Sequence, residues 1–223
     1  MVALYVAARP LSGRKRLASR FGGQAAGVAD RPGGEPPVAA ENGLPLSWRT
    51  RTLPIVPVRA ADVADAADLL ALRNHYIDHS FATFDEAPLT LAAVQAWMAG
   101  FADAGPHRLL VARDGPRLLG YCSSQAYRAH PAFSRTIETS VYVAPHAAGI
   151  GVGAALYARL FAELAGQRLH RAVVGIALPN PASLRLHERF GFRAVGVFDE
   201  YAHKHGRAIS SLWMQRAMDE ATP

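Results

Sequence analysis

The chain has 223 residues, half of them hydrophobic, with 24 Lys and Arg against 18 Asp and Glu. That length and composition suit one folded domain with an extension and exclude a chain disordered throughout. The single cysteine, Cys122, excludes an internal disulfide framework and any CxxC metal or redox motif, and fits a reducing, cytoplasmic setting.

Residues 1–52 hold eight basic residues against three acids, whereas 53–223 hold sixteen against fifteen. The positive charge therefore belongs to the N-terminal stretch, and the body carries no bulk charge suited to nucleic acid or an anionic membrane. Seven Gly and seven Pro are scattered through residues 1–57, with Arg31-Pro-Gly-Gly-Glu-Pro-Pro37 among them. Such a stretch forms neither helix nor central strand, so residues 1–52 are expected to be a disordered extension and 53–223 the folded domain. A plain tail or a misplaced start is the simplest account of it. A transit peptide is the second reading, since no acid precedes Asp30. The run Thr139–Ala158 lacks any Asp, Glu, Lys or Arg over 20 residues, but its Pro145 and three glycines suit a strand, a turn and a helix start better than a membrane span.

Ile55–Arg59 reads as a short strand. Asp62 caps a helix running to about Asp78, and Thr90 caps a second with Val94, Trp97, Met98 and Phe101 near one face. Arg108–Ala112 and Arg117–Ala126 are strands joined by the hairpin signal Asp114-Gly115. Thr136–Val143 is a β-branched strand closed by Pro145. After the turn Gly149–Gly153 comes an apolar helix, Ala154–Ala165, then a buried strand, Arg171–Leu178. Asn180 caps a helix with Pro181 at its first position and a glycine stop at Gly191. Strands Arg193–Asp199 and Ile209–Arg216 close the chain around a Lys204-His205-Gly206 turn. The order β-α-α-β-β-β-α-β-α-β-β is a mixed α+β plan with hairpins first and helix crossovers later.

The alternation Gly149-Ile150-Gly151-Val152-Gly153 before a helix points to an anion site. Glycine lets a ligand approach the backbone, and free amides at a helix start favour phosphate. Gly149, Gly151 and Ala154 also satisfy the loose dinucleotide fingerprint, but the next strand holds no acid for a ribose. A P-loop needs Gly-Lys-Ser/Thr, which is absent. A diphosphate with a long arm, such as coenzyme A, remains open. His203 and His205 alone make weak metal ligands, and no metal is expected.

From about Val58 to Met214 the chain resembles the GNAT superfamily of acetyltransferases, and within it the phosphinothricin N-acetyltransferase group. The resemblance rests on Asn74-His75-Tyr76-Ile77 with Thr83-Phe84, on Glu138-Thr-Ser-Val-Tyr-Val143 with Pro145, on Leu178-Pro-Asn180 with Ser183 and Leu186-His187-Glu188, and on Lys204-His205-Gly206. It implies the GNAT fold, a splayed mixed sheet flanked by helices, with acetyl-CoA as cosubstrate and a small primary amine as acceptor. Val141 and Val143 would pair with the pantetheine arm, Gly149, Gly151 and Gly153 would hold the pyrophosphate, and Asn180 and Ser183 would face the cofactor. His75, Tyr76, Phe84, Tyr127, Arg128 and His130 become acceptor-site candidates, and a homodimer is expected by analogy.

Glu138, a carboxylate inside an apolar strand, is expected to act as general base, because burial raises its pKa toward a useful range. His187 stands where the group has its helix histidine, as proton donor to the leaving thiolate or as an acceptor-binding residue. Two departures stand out. His146-Ala147-Ala148 lacks the Gln or Arg that the family carries before its first glycine, and Ala208-Ile-Ser210 replaces a Trp-x-Asp pattern. Protein N-acetylation and a non-catalytic acyl-CoA sensor are the alternative functions.

Overall fold

A computed structural model describes residues 56–218. The extension assigned to residues 1–52 lies outside the described residues. Four helices and seven strands follow one another in the expected order. They are β1 (Val58–Ala60), α1 (Ala66–His79), α2 (Leu91–Met98), β2 (Arg108–Asp114), β3 (Arg117–Ala126), β4 (Thr136–Val143), α3 (Val152–Leu164), β5 (Arg171–Ala177), α4 (Pro181–Arg189), β6 (Arg193–Lys204) and β7 (Arg207–Ala217). The strands form one sheet in the order β1-β2-β3-β4-β5-β7-β6.

Every neighbouring pair is antiparallel except β4 and β5. That parallel pair is short, joining only Thr136–Glu138 to Arg171–Val173. Beyond Glu138 the two strands part, β4 staying with β3 up to Val143 and β5 with β7 up to Ala177. The sheet thus opens into a wedge at its centre. α3 packs against β2, β3 and β4 through the buried Leu156, Tyr157, Leu160 and Leu164, while α1 sets Leu69, Leu72, Tyr76 and Ile77 into the core. Gly120 allows the close crossing of β3 and β4, for a Cβ there would sit 2.5 Å from the Tyr142 carbonyl oxygen.

Three elements depart from the reading of the sequence. Asp62 caps a single 3₁₀ turn, Val63–Asp65, and α1 proper begins at Ala66. Asp62 and Asp65 form a reciprocal capping box, which tightens the first turn. α3 starts at Val152 rather than Ala154, because Gly151, at φ +94°, already serves as its N-cap. The last hairpin is longer than expected. A bulge between Phe198 and Ala202, with Glu200 at φ +44°, carries β6 past the polar Asp199-Glu200 pair that reads as a stop.

Candidate active site

The wedge exposes one edge of β4. The Ala144 N–H donates to the Leu119 carbonyl at 2.8 Å, which sets the phase of the β3–β4 ladder. Alternation then turns the backbone groups of Val141 and Val143 away from β3, toward the gap. The Val143 carbonyl is taken by the Tyr76 hydroxyl at 2.5 Å, so its N–H is the group left facing the wedge.

Past the end of β4 lies a cleft of about 360 Å³, walled by Val143, Gly149, Gly151 and Gly153 and, from α4, by Arg185 and Arg189. Gly149 and Gly151 take φ +81° and +94°, where a side chain would be strained. The first helical bond of α3 runs from the Ala155 N–H to the Gly151 carbonyl, so the amides of Val152, Gly153 and Ala154 are the unpaired donors of a helix start. Gly153 lies inside the helix, where a Cβ would come within 3.1 Å of Leu186 Cδ2. Its second role is to let α3 and α4 approach. The basic side chain missing at 146–148 thus has counterparts on the facing helix. Sequence reasoning passed over Arg185 because it sits on the polar face of α4, where an arginine needs no explanation.

Glu138 stands at the apex of the wedge, 6 % exposed, and its Oε1 has no hydrogen-bond partner among the described residues. Burial raises its pKa to about 7. Gln125 is its Cα partner on β3, which puts both side chains on one face of the sheet. On that face a small cavity of about 20 Å³ is lined by Gln125, Ser123, Ser140 and Tyr142 from the sheet and by Arg73, Asp85 and Trp97 from α1, the following loop and α2. Nothing in the sequence singles these residues out, since each is an ordinary polar or aromatic residue until the fold brings them together. A second cleft, of about 310 Å³, lies between the Ser80–Ala82 segment, the end of β5 and the start of β7 at Arg207–Ile209.

The other expected site residues divide. Phe84 and Tyr127 belong to one chain of ring contacts, Phe84–Tyr201–Phe198–Trp213–Tyr127, with centroid spacings of 5.3–6.3 Å. Arg128 stacks over Tyr127 and Phe133 at 5.0 and 5.5 Å. His130 is exposed and caps the Pro131–Phe133 turn, accepting the Ala132 N–H at Nδ1. Tyr76 is 1 % exposed and braces Val143, so it supports the wedge from behind instead of lining a pocket. The His75 ring stacks at 4.7 Å on His79, which itself lines the second cleft. The Asn180 side chain caps α4 through the Ser183 N–H, and Ser183 is fully buried beside it.

His187 corrects the expectation of a proton donor. It is fully buried, with Nδ1 2.8 Å from the Ser183 carbonyl and Nε2 2.8 Å from the Tyr157 hydroxyl. Burial lowers its pKa to about 4, despite the opposing bond to the Ser183 carbonyl. It is a neutral imidazole satisfied on both sides, and it ties α4 to α3. Tyr157 also meets Thr139 Oγ1 on β4 at 3.3 Å, so one small network pins three elements around the wedge. Among the described residues no group of three or more His, Cys, Asp or Glu could hold a metal ion, and no helix is long and apolar enough to cross a membrane.

A splayed sheet, a glycine-bounded helix start and a buried carboxylate at the apex suit a long cofactor arm that meets an amine. Comparison with known proteins agrees. Residues 69–192 match the acetyltransferase (GNAT) family. A phosphinothricin N-acetyltransferase of Streptomyces coelicolor is 46% identical over 165 residues, covering 73% of this chain and 96% of that protein. An L-methionine sulfoximine/L-methionine sulfone acetyltransferase of Pseudomonas aeruginosa is 36% identical over 163 residues, covering 73% and 94%. The structure of a Salmonella typhimurium acetyltransferase with its cofactor acetyl-CoA superposes with a TM-score of 0.71 at 32% identity, covering 75% of this chain and 96% of that one. The chain belongs to the GNAT family and is an N-acetyltransferase.

Proposed function

We propose that the chain transfers an acetyl group from acetyl-CoA directly to the primary amine of a free amino acid or a close analogue, of the phosphinothricin or methionine sulfone kind, with Glu138 as general base. The observation that carries this reading is the buried Glu138 carboxylate, with its unpartnered Oε1 and a pKa raised to about 7 by burial. The relatives that act on phosphinothricin and on methionine sulfoximine and sulfone support the acceptor class.

Acetyl-CoA, as cosubstrate, supplies the acetyl thioester. The glycine-bounded start of α3 and Arg185 suit its phosphates, and the gap-facing edge of β4 suits its extended arm. An α-amino group has a pKa near 8 and arrives mostly as ammonium. Glu138, poised near neutrality, takes a proton from it and frees the lone pair for attack. The Val143 N–H faces the wedge, where it can bond the oxygen that gains charge. As that oxygen re-forms the carbonyl, the C–S bond breaks and CoA leaves as thiolate. The second proton shed by the nitrogen passes to the thiolate or to water. Cys122 is no candidate for an acyl-enzyme, being fully buried with a thiol pKa pushed well up by burial. Direct transfer is the simpler chemistry.

The test follows CoA thiol release from acetyl-CoA over phosphinothricin, methionine sulfone, common amino acids, polyamines and a short peptide. Release that depends on an amino-acid-like acceptor and vanishes in Glu138→Gln is expected. Release with the peptide alone would overturn the acceptor class. Acetyl-CoA binding without release from any acceptor would favour a sensor.

A further inference from the structure

Lys204 is a lysine with no exposed surface. It ends β6, at the turn Lys204-His205-Gly206 between the last two strands. Its ammonium reaches out of the hairpin and donates to two backbone carbonyls of the loop after α1, Ser80 at 2.8 Å and Thr83 at 2.9 Å. Burying an ammonium is costly unless it is paired or fully hydrogen-bonded, so a lysine in this position needs a reason.

Two further contacts cross the same seam. The His205 N–H donates to Glu86 Oε1 at 2.5 Å, and the Arg207 guanidinium lies 4.8 Å from the centre of the Phe81 ring. All three join the segment 80–86 to the β6–β7 turn. These are opposite walls of the 310 Å³ cleft, which Ser80, Phe81 and Ala82 face from one side and Arg207, Ala208 and Ile209 from the other. Thr83 and Asp85, in the same segment, line the small cavity on the Glu138 face.

The geometry points to Lys204 as a positioning residue: it clamps the acceptor-side loop 80–86 to the last hairpin and so fixes the width of the acceptor entrance. It touches neither the glycine turn nor the gap-facing edge of β4. Its loss therefore acts on the acceptor and spares acetyl-CoA. This inference rests on the acetyltransferase reading only for where the acceptor enters.

The first variant is Lys204→Met, which keeps the length and apolar stem but loses both donors. The second is Glu86→Ala, an exposed position whose loss removes the His205 tie and one of the nearby carboxylates that favour the Lys204 ammonium. Steady-state kinetics with methionine sulfone, or whichever panel acceptor the wild type turns over best, should show the acceptor KM raised tenfold or more in Lys204→Met. The acetyl-CoA KM should stay within twofold. Glu86→Ala should raise the acceptor KM about two- to fivefold. Hydrogen exchange, measured without substrates, should quicken at least tenfold at amides 80–86 in Lys204→Met and stay unchanged in α3. Equal rises in both KM values, or an unchanged acceptor KM in a folded variant, would overturn the clamp. Should Lys204→Met fail to fold, Glu86→Ala decides between the same outcomes. A wild type with no acceptor-dependent release would sink the proposed function alone. Exchange would then decide the clamp, and unchanged exchange at 80–86 would refute it.

Discussion

The Tyr157 hydroxyl lies 2.8 Å from His187 Nε2, and His187 Nδ1 lies 2.8 Å from the Ser183 carbonyl. A carbonyl only accepts, so Nδ1 carries the proton and Nε2 accepts from tyrosine. The imidazole is held as one neutral tautomer. Its depressed pKa, about 4, means that the unfolded chain binds a proton more readily than the folded one. Its contribution to stability is complete above about pH 6.5 and is lost as pH falls toward 4. The His187 ring signals in an NMR titration should stay flat between pH 8 and about pH 5. Tyr157→Phe leaves Nε2 buried and unpaired and should cost about 1–3 kcal/mol of unfolding free energy. Titration of His187 near its ordinary value would restore it as a proton donor.

Glu138 carries the opposite sign. Its folded pKa, about 7, lies above the unfolded value, so its stabilising share is complete below about pH 4.5 and is lost as pH rises through 7. Activity needs the ionised form that stability disfavours. The wild-type kcat/KM should therefore climb through about pH 7. Glu138→Gln should reduce it by about 10²–10⁴-fold and remove that limb. The same variant should melt higher than wild type at pH 8, by on the order of 1–3 kcal/mol, with no gain at pH 4. Parallel melting curves and pH–rate profiles of the two proteins check both halves. Undiminished turnover in Glu138→Gln, with acetyl-CoA still bound, would place the base elsewhere.

The local signals of the sequence carried most of the fold. Asp114-Gly115 marks the β2–β3 hairpin, Asn180-Pro181 opens α4, and Gly149 and Gly151 take the left-handed conformation that only glycine takes freely. The wedge left no such mark. A parallel pair that stops after three residues is set by packing between distant elements, and nothing in Thr136–Val143 says where its partner leaves. The same distance hid Lys204. A lysine before His-Gly in a turn reads as solvated, and only the fold brings the carbonyls of Ser80 and Thr83 to it, over 120 residues away in the chain. His187 was legible as a special position, while its chemistry was decided by Tyr157, which lies 30 residues earlier on another helix.

Asp65 offers a control far from the chemistry. It is 1 % exposed and accepts from both terminal nitrogens of Arg59 at 2.7 and 2.9 Å, from the Asp62 N–H at 2.9 Å and from Arg113 Nε at 3.2 Å. Burial pushes its carboxyl up, but the arginines and the backbone bond outweigh this and hold it below the usual range. Such a group stabilises the fold above its unfolded pKa and loses that effect as pH falls through the folded one. Asp65→Asn removes the shared carboxylate, while Arg59 keeps Asp62 and Arg113 keeps Asp68, and should cost about 1–3 kcal/mol. Urea denaturation should show that loss, with kcat at 25 °C and both KM values nearly unchanged wherever the variant remains folded. A selective fall in kcat would mean that the β1–α1 junction reaches the site.

Arg185 tests whether α4 supplies the charge absent before the glycine turn. It is exposed, faces the cleft that holds Gly149 and Gly151, and sits four residues from Arg189 on the same face of α4. An exposed arginine on a phosphate contributes little more than a surface ion pair, so Arg185→Ala should raise the acetyl-CoA KM roughly fivefold, about 1 kcal/mol. The acceptor KM should not move. Arg185→Lys should recover only part of the loss, because a point charge replaces a planar fork. Ionic strength separates charge from packing. Raising salt screens an exposed pair, so wild type and Arg185→Ala should converge in acetyl-CoA affinity as salt increases. A gap between them that is constant across salt would mean that Arg185 acts by packing α4 against the turn, and that the backbone amides of Val152, Gly153 and Ala154 hold the phosphates without its charge.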